Sequence, residues 1–128
     1  MLYLDSSAIV KLVVREPETA GLIRAIQADP EVVSSHVACT EVVNATRRAG
    51  RSTARAERIL DGIALVPIDD AILREAATLG RKDLRTLDAI HLATAISLRP
   101  DVGTVITYDG RQARVASALG LEVRSPGS

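Results

Sequence analysis

Four acidic residues stand in this chain where a solvated charge would not ordinarily be placed. Asp5 follows directly on an apolar run in "MLYLDSSAIVKL", and Glu41 is surrounded by Val37, Ala38, Val42, Val43 and Ala45 in "SHVACTEVVNAT". Asp88 lies near the start of the most apolar stretch, "RTLDAIHLATAISL", and Asp109 closes the run in "VITYDG". A buried carboxylate is costly unless it is paired, caps a helix or coordinates a cation. Each acid taken alone has a structural role open to it. Asp5 can cap a helix, Asp88 can gain from a helix dipole, Glu41 can pair with a buried arginine, and Asp109 can be a turn residue. Gathered in one pocket, however, the four could not all stay ionised, because like charges a few ångströms apart push one another's pKa values up. A divalent cation removes that conflict. Hard oxygen ligands with no Cys or His cluster favour Mg²⁺ or Mn²⁺ over Zn²⁺. Such ions readily share themselves with phosphate oxygens, so the matching chemistry is phosphoryl transfer or phosphodiester hydrolysis.

The elements that must position these acids alternate between strands and helices. Leu2–Leu4 reads as a strand, Asp5-Ser6-Ser7 as a cap, and Ala8–Val14 as a helix. Glu31–Ser34 is a second strand, and Ser35 caps a helix over His36–Arg48 that stops at Gly50. A polar helix over Arg51–Leu60 follows, then a strand over Gly62–Ile68 and a helix over Asp69–Leu79 closed by Gly80. Thr86 caps Leu87–Leu98, which ends before Pro100. Val102–Thr107 is a strand, Gln112–Leu119 a helix ended by Gly120, and Leu121–Val123 a last short strand. The alternation predicts an α/β fold, a three-layer α/β/α domain with a central, mainly parallel sheet. Ligands of such sheets bind at the carboxyl ends of the strands. Asp5 and Asp109 are therefore expected on one rim.

Composition bounds the reading further. At 128 residues the chain is expected to form a single domain over 1–128, with 125–128 as a loose tail. No apolar run approaches the length of a membrane span. Asp5 and Lys11 interrupt the N-terminal apolar run and no basic segment or cleavage site frames it as a signal peptide, so a cytoplasmic protein is expected. The single Cys39 excludes an internal disulfide. Only two aromatic residues, Tyr3 and Tyr108, are present, which leaves little for a base-stacking platform. Formal charge is zero, 16 basic against 16 acidic residues; setting aside the four acids above leaves 12 acidic against 16 basic, a net of +4 that suits a nucleic-acid backbone.

At these residues the sequence resembles the PIN-domain ribonucleases, and specifically the VapC toxins of bacterial toxin-antitoxin pairs. The likeness runs through "LDSSAIVKL", "TEVVNA", "TLDAIHLATA" and "VITYDGRQARVASALGLEV", in that order and across essentially the whole chain. Residue by residue, the resemblance implies that Asp5, Glu41, Asp88 and Asp109 form an acidic quartet holding one or two Mg²⁺ or Mn²⁺ ions. It makes Ser6 and Thr107 the small hydroxyl residues that support the site. The implied reaction is metal-dependent hydrolysis of RNA by in-line attack of an activated water, leaving 5′-phosphate and 3′-hydroxyl ends. The implied partners are an RNA substrate and a cognate VapB-like antitoxin, with a homodimer as the expected assembly. The alternative within the same family is an RNA-binding or regulatory module without catalysis, which would be expected to have lost members of the quartet.

Two basic clusters could carry RNA phosphates: Arg47, Arg48, Arg51, Arg55 and Arg58, with the last three at helical spacing, and Arg81, Lys82 and Arg85 just before Asp88. The same charges could equally be solvated helix faces. His91 shares a helix face with Asp88, but its apolar surroundings favour packing or a structural hydrogen bond; His36 is a weaker candidate, and Cys39 reads as a small core residue. Asp69-Asp70 reads as a helix cap with a first-turn acid. Dehalogenase-like phosphatases would need a second Asp at position 7, where Ser7 stands, and neither Gly-x-Gly-x-x-Gly nor a Walker A motif is present.

Overall fold

A computed structural model describes residues 1–82 and 84–128. Five short strands, β1 (Leu2–Leu4), β2 (Val32–Ser35), β3 (Ala64–Val66), β4 (Thr104–Ile106) and β5 (Glu122–Arg124), form one sheet. Its order is β3-β2-β1-β4-β5 and every pairing is parallel. The chain winds outwards from β1 to β3 and then crosses back to place β4 on the other side of β1. That reversal makes the carboxyl ends of β1 and β4 the topological switch point, where ligands of open parallel sheets bind.

Alternation along β1 sends neighbouring side chains to opposite faces and so divides the core in two. Leu2 and Leu4, with Ile106 of β4, pack against α1 (Ser6–Val13), α2 (Thr19–Ala28), α3 (Ala38–Arg48) and α4 (Ala54–Asp61). Tyr3 and Val105 face the other way, onto α5 (Asp70–Thr78), α6 (Thr86–Ser97) and α7 (Gly110–Ala118). The predicted three layers are thus present. Helix α6 is buried all round from Ala89 to Ala95, which explains its continuous apolar sequence in place of an amphipathic stripe.

Several boundaries differ from expectation. Helix α2 was not foreseen: Glu18, at its N-cap, makes no side-chain cap bond, so it lacks the usual start signal. Arg51 lies between α3 and α4, so it does not share a helix with Arg55 and Arg58. Cys39 is partly exposed and not a core residue. Residues 125–128 are not loose: the Tyr108 hydroxyl donates to the Pro126 carbonyl at 2.8 Å and Ser125 to that of Thr107 at 2.6 Å. Gly127, at φ +82°, lies so near α2 that a Cβ there would stand 2.8 Å from the Glu18 carbonyl oxygen. Only glycine satisfies both demands.

One buried group is left unsatisfied. Gln112 on α7 is wholly buried, and neither atom of its amide finds a hydrogen-bond partner among the described residues. An unpaired buried amide costs about 1–3 kcal/mol. Gln112→Met keeps the length of the side chain and removes its polar atoms, so it should stabilise the protein by about 1–2 kcal/mol. Urea unfolding checks this; a loss of stability would mean that the amide is bonded in solution.

Candidate metal centre

The four acids reach the rim from four separate helix starts. Asp5, one residue beyond β1, is the N-cap of α1, and its Oδ1 accepts from the Ala8 amide at 3.1 Å. Asp109 is the N-cap of α7 and accepts from the amides of Arg111 and Gln112 at 2.9 and 3.3 Å. Glu41 and Asp88 stand in the first turns of α3 and α6. Helix N-termini carry positive dipole ends. Converging there lowers the cost of gathering negative charge.

All four line one cavity of about 330 Å³, together with Ser6, Ser7 and His91, while Arg85 and Thr86 form part of its wall. Asp5 thus fills the capping role open to it, and Asp109 turns out to be a helix cap in place of a turn residue, with both still lining the cavity. Among the described residues, no arginine pairs with Glu41. Its partners are His91, whose Nε2 lies 2.7 Å from Glu41 Oε1, and the Ser6 hydroxyl, which donates to the same oxygen at 2.6 Å. Asp5 is the most enclosed of the four, 4% exposed, and accepts from the Ser7 hydroxyl at 2.6 Å and from the Thr107 hydroxyl. The Thr107 hydroxyl in turn accepts from the Asp109 amide at 3.1 Å, which links β4 to β1 across the switch point. Asp88 has no hydrogen-bond donor among the described residues, so its charge is the least compensated.

Sequence reasoning passed over two members of this network. Ser7 bonds Asp5 and also accepts from the Tyr108 amide at 2.9 Å, but a second serine after the strand reads only as part of a cap. Tyr3 reaches His91 Nδ1 at 2.7 Å, which its position inside an apolar strand does not disclose. Among the basic candidates, Arg85 borders the acidic cavity, whereas Arg81 and Lys82 are exposed and do not line it. Arg48 lines a second hollow of about 570 Å³ that shares Ser6, Ser7 and Glu41 with the first. Lys11, in the same hollow, sits 4.8 Å from the centre of the Tyr108 ring and bonds Glu16 and Glu18.

The donor set suits a hard cation. The charged ligand atoms lining the cavity are carboxylate oxygens, and His91 has both ring nitrogens engaged. Among the described residues, no three His, Cys, Asp or Glu side chains lie close enough together to hold a metal ion between them. Mg²⁺ does not need such a group: it binds through one or two carboxylates and fills its remaining positions with water and substrate phosphate.

Electrostatics point the same way. Burial pushes the Asp5 carboxyl above its ordinary value, outweighing the hydrogen bonds from Ser7 and Thr107 that favour the anion. Burial and then the Asp109 charge raise Asp88, with Asp5 and Glu41 adding to the effect. Burial also acts to raise Glu41, but the hydrogen bonds from His91 and Ser6 prevail and hold it below the usual carboxylate range. A raised folded pKa gives stability that is present below the unfolded value and lost as pH rises through the folded one. The metal-free protein should therefore lose stability as pH rises from about 4, the ordinary carboxylate value, through the raised values of Asp5 and Asp88. Glu41 works in the other direction but only below the ordinary range, so it does not cancel the effect. Thermal unfolding across this window, with and without Mn²⁺, measures it; the ion should raise the Tm at neutral pH and have little effect in acid. A metal-free Tm that climbs with pH through the window would contradict the reading.

Comparison with known proteins places the chain among relatives. A family model described as the PIN domain matches residues 2–118. Ribonuclease VapC46 of Mycobacterium tuberculosis is 46% identical over 126 residues, covering 98% of this chain and 97% of the relative. Ribonuclease VapC47 of the same species is 34% identical, covering 100% and 98%. Among solved structures, FitAcB from Neisseria gonorrhoeae superposes with a TM-score of 0.71 at 17% identity, covering 96% of each chain. Mycobacterium tuberculosis VapC20, a sarcin-ricin-loop-cleaving toxin, gives 0.69 at 20% identity, covering 94% of this chain and 96% of that one. At such identities the structural likeness concerns the fold alone.

Proposed function

Because the chain belongs to the PIN-domain family, we propose that it is a ribonuclease, the toxin of a toxin-antitoxin pair, that cuts RNA phosphodiester bonds at the cavity bounded by Asp5, Glu41, Asp88 and Asp109. The observation that carries this reading is the convergence of the four carboxylates at the switch point, with Asp88 receiving no hydrogen bond among the described residues. The full-length likeness to proteins named ribonucleases supports it. The finer reading is an endonuclease that requires one or two Mg²⁺ or Mn²⁺ ions and leaves 5′-phosphate and 3′-hydroxyl ends.

A divalent cation held by these acids would polarise water for attack and neutralise charge growing on the phosphate oxygens. The chain's own residues set the geometry around it. Ser7 and Thr107 fix both oxygens of Asp5, Ser6 and His91 fix one oxygen of Glu41, and Asp88 is left free to orient water or accept a proton. In this reading Arg85, at the cavity wall, and Arg48, in the adjoining hollow, would meet RNA phosphates, and the exposed Arg81 and Lys82 would add positive charge to the approach. The solved neighbours include a toxin-antitoxin complex from Klebsiella pneumoniae and VapBC2 of Rickettsia felis bound to promoter DNA. By analogy a VapB-like antitoxin would block this site, a basic side chain among the carboxylates being the simplest means. A homodimer and a cytoplasmic location belong to the same proposal; among the described residues no helix is long and apolar enough to cross a membrane.

The test is to incubate the purified chain with total cellular RNA, with Mg²⁺ or Mn²⁺ and with chelator, and to map new 5′ ends beside an Asp5→Asn control. Discrete metal-dependent 5′-phosphate ends that vanish in the variant would establish the nuclease. A folded protein that binds RNA and cuts none under any metal would favour the non-catalytic binding module.

A further inference from the structure

We propose that His91 and Tyr3 are positioning residues, a buried pair that grips one oxygen of Glu41 so that the other is presented to the cavity. The inference rests on the reading of Glu41 as a ligand of a divalent cation.

The pair is built into the core and not into the surface of the site. Tyr3 is wholly buried and His91 is 1% exposed. The Tyr3 ring meets the imidazole edge to face, with centroids 5.8 Å apart and planes at 80°, while its hydroxyl lies 2.7 Å from Nδ1. A phenol is the natural donor to an imidazole nitrogen. When it donates to Nδ1, the ring proton of a neutral histidine resides on Nε2, which then donates to Glu41 Oε1 at 2.7 Å. This tautomer is assigned from the network. Ser6 supplies a second donor to the same oxygen at 2.6 Å. Oε1 is thereby committed twice, and Oε2 has no partner among the described residues.

A histidine kept only for packing would need its two nitrogens satisfied by any buried acceptor and donor. This one spends Nε2 on a carboxylate at the cavity, and its own ring lines the cavity as well. The connection also joins three site elements: Tyr3 is two residues before Asp5 on β1, His91 one turn after Asp88 on α6, and Glu41 stands on α3. Hydrogen bonding to the outer side of a metal-binding carboxylate sets its orientation, and losing such a partner typically costs about 10–100-fold in metal affinity or activity.

The experiment is titration of the full chain with Mn²⁺ alone, free ion being followed by electron paramagnetic resonance, beside thermal unfolding of each variant. His91→Leu should bind Mn²⁺ about 10–100-fold more weakly. His91→Gln, whose amide N–H can occupy the Nε2 position, should recover most of that loss. Tyr3→Phe keeps the ring and removes only the hydroxyl that fixes the tautomer, so it should show a smaller loss of the same kind. In cleavage assays the deficit should appear as a higher Mn²⁺ requirement and shrink at saturating ion. A folded His91→Leu that binds Mn²⁺ like the wild type overturns the proposal, whatever its Tm; if that variant does not fold, wild-type affinity in Tyr3→Phe does so. Asp88→Asn and Glu41→Gln run as controls. If these too bind Mn²⁺ normally, the metal-centre reading fails and the positioning role falls with it; if they lose the ion while the His91 and Tyr3 variants keep it, the positioning role alone is refuted.

Discussion

Asp88→Asn should lower cleavage by more than about 100-fold, beyond what losing a mere outer partner of a metal ligand costs, while making the metal-free protein more stable. Both effects have one origin. Asp88 lies half-buried beside Asp109, Asp5 and Glu41, and burial followed by the Asp109 charge raises its pKa. No hydrogen bond compensates it among the described residues. At neutral pH the ionised group therefore works against folding, and the isosteric amide removes the charge with little change of shape. The same removal takes away an anionic oxygen from the cavity, so the RNA-cutting assay should fall as the Tm rises. A group that destabilises the fold and serves the reaction is a common feature of active sites. The expectation fails if Asp88→Asn cuts RNA at the wild-type rate or melts earlier than the wild type in chelator.

Asp5→Ala should lose cleavage to a comparable degree but also destabilise the protein, by about 1–3 kcal/mol. Asp5 does two things at once. Its Oδ1 caps α1 through the Ala8 amide, and its two oxygens satisfy the hydroxyls of Ser7 and Thr107. Losing the cap costs about 1 kcal/mol, and leaving buried donors without an acceptor adds to it. Relief of the buried charge offsets part of this, since burial already disfavours the anion. Asp5→Asn retains an acceptor for the cap and should be less damaging to stability while equally inactive. Urea unfolding of the two variants beside the cleavage assay separates the roles; an Asp5→Ala protein as stable as Asp88→Asn would show that the cap and hydroxyl bonds contribute nothing.

Much of this arrangement was legible because the signals are local. An apolar run cut off by Asp5-Ser6-Ser7 marks a strand followed by a capped helix, whereas β4 and α7 were read from their apolar patterns alone, and that Asp109 caps α7, which begins at Gly110 and not Gln112, emerged only in the structure. Asp69 behaves as the cap that its sequence suggested, accepting from the Ile72 amide at 2.9 Å. Helix α2 was missed because its start has no side-chain cap, and its formation relies on burying Leu22 in the core shared with β1 and α1. The tail was misjudged because Ser125-Pro126-Gly127-Ser128 has the composition of a linker. Its anchorage comes from Tyr108 and from the bare backbone of Gly127 against Glu18, contacts about a hundred residues apart in the latter case.

The sequence by itself determined which residues carry negative charge into apolar surroundings, the alternation that dictates a parallel α/β sheet, and the rule that places Asp5 and Asp109 at strand ends. These follow from short-range periodicity and from the cost of burying charge. Only the tertiary structure decided that Glu41 faces His91, that Tyr3 stands behind that histidine, and that, among the described residues, Asp88 is the one acid of the four with no hydrogen-bond donor. Those are contacts between elements separated by 50 to 88 residues, fixed by how helices α3 and α6 settle beside β1. No local pattern encodes the direction in which a buried side chain spends its last hydrogen bond.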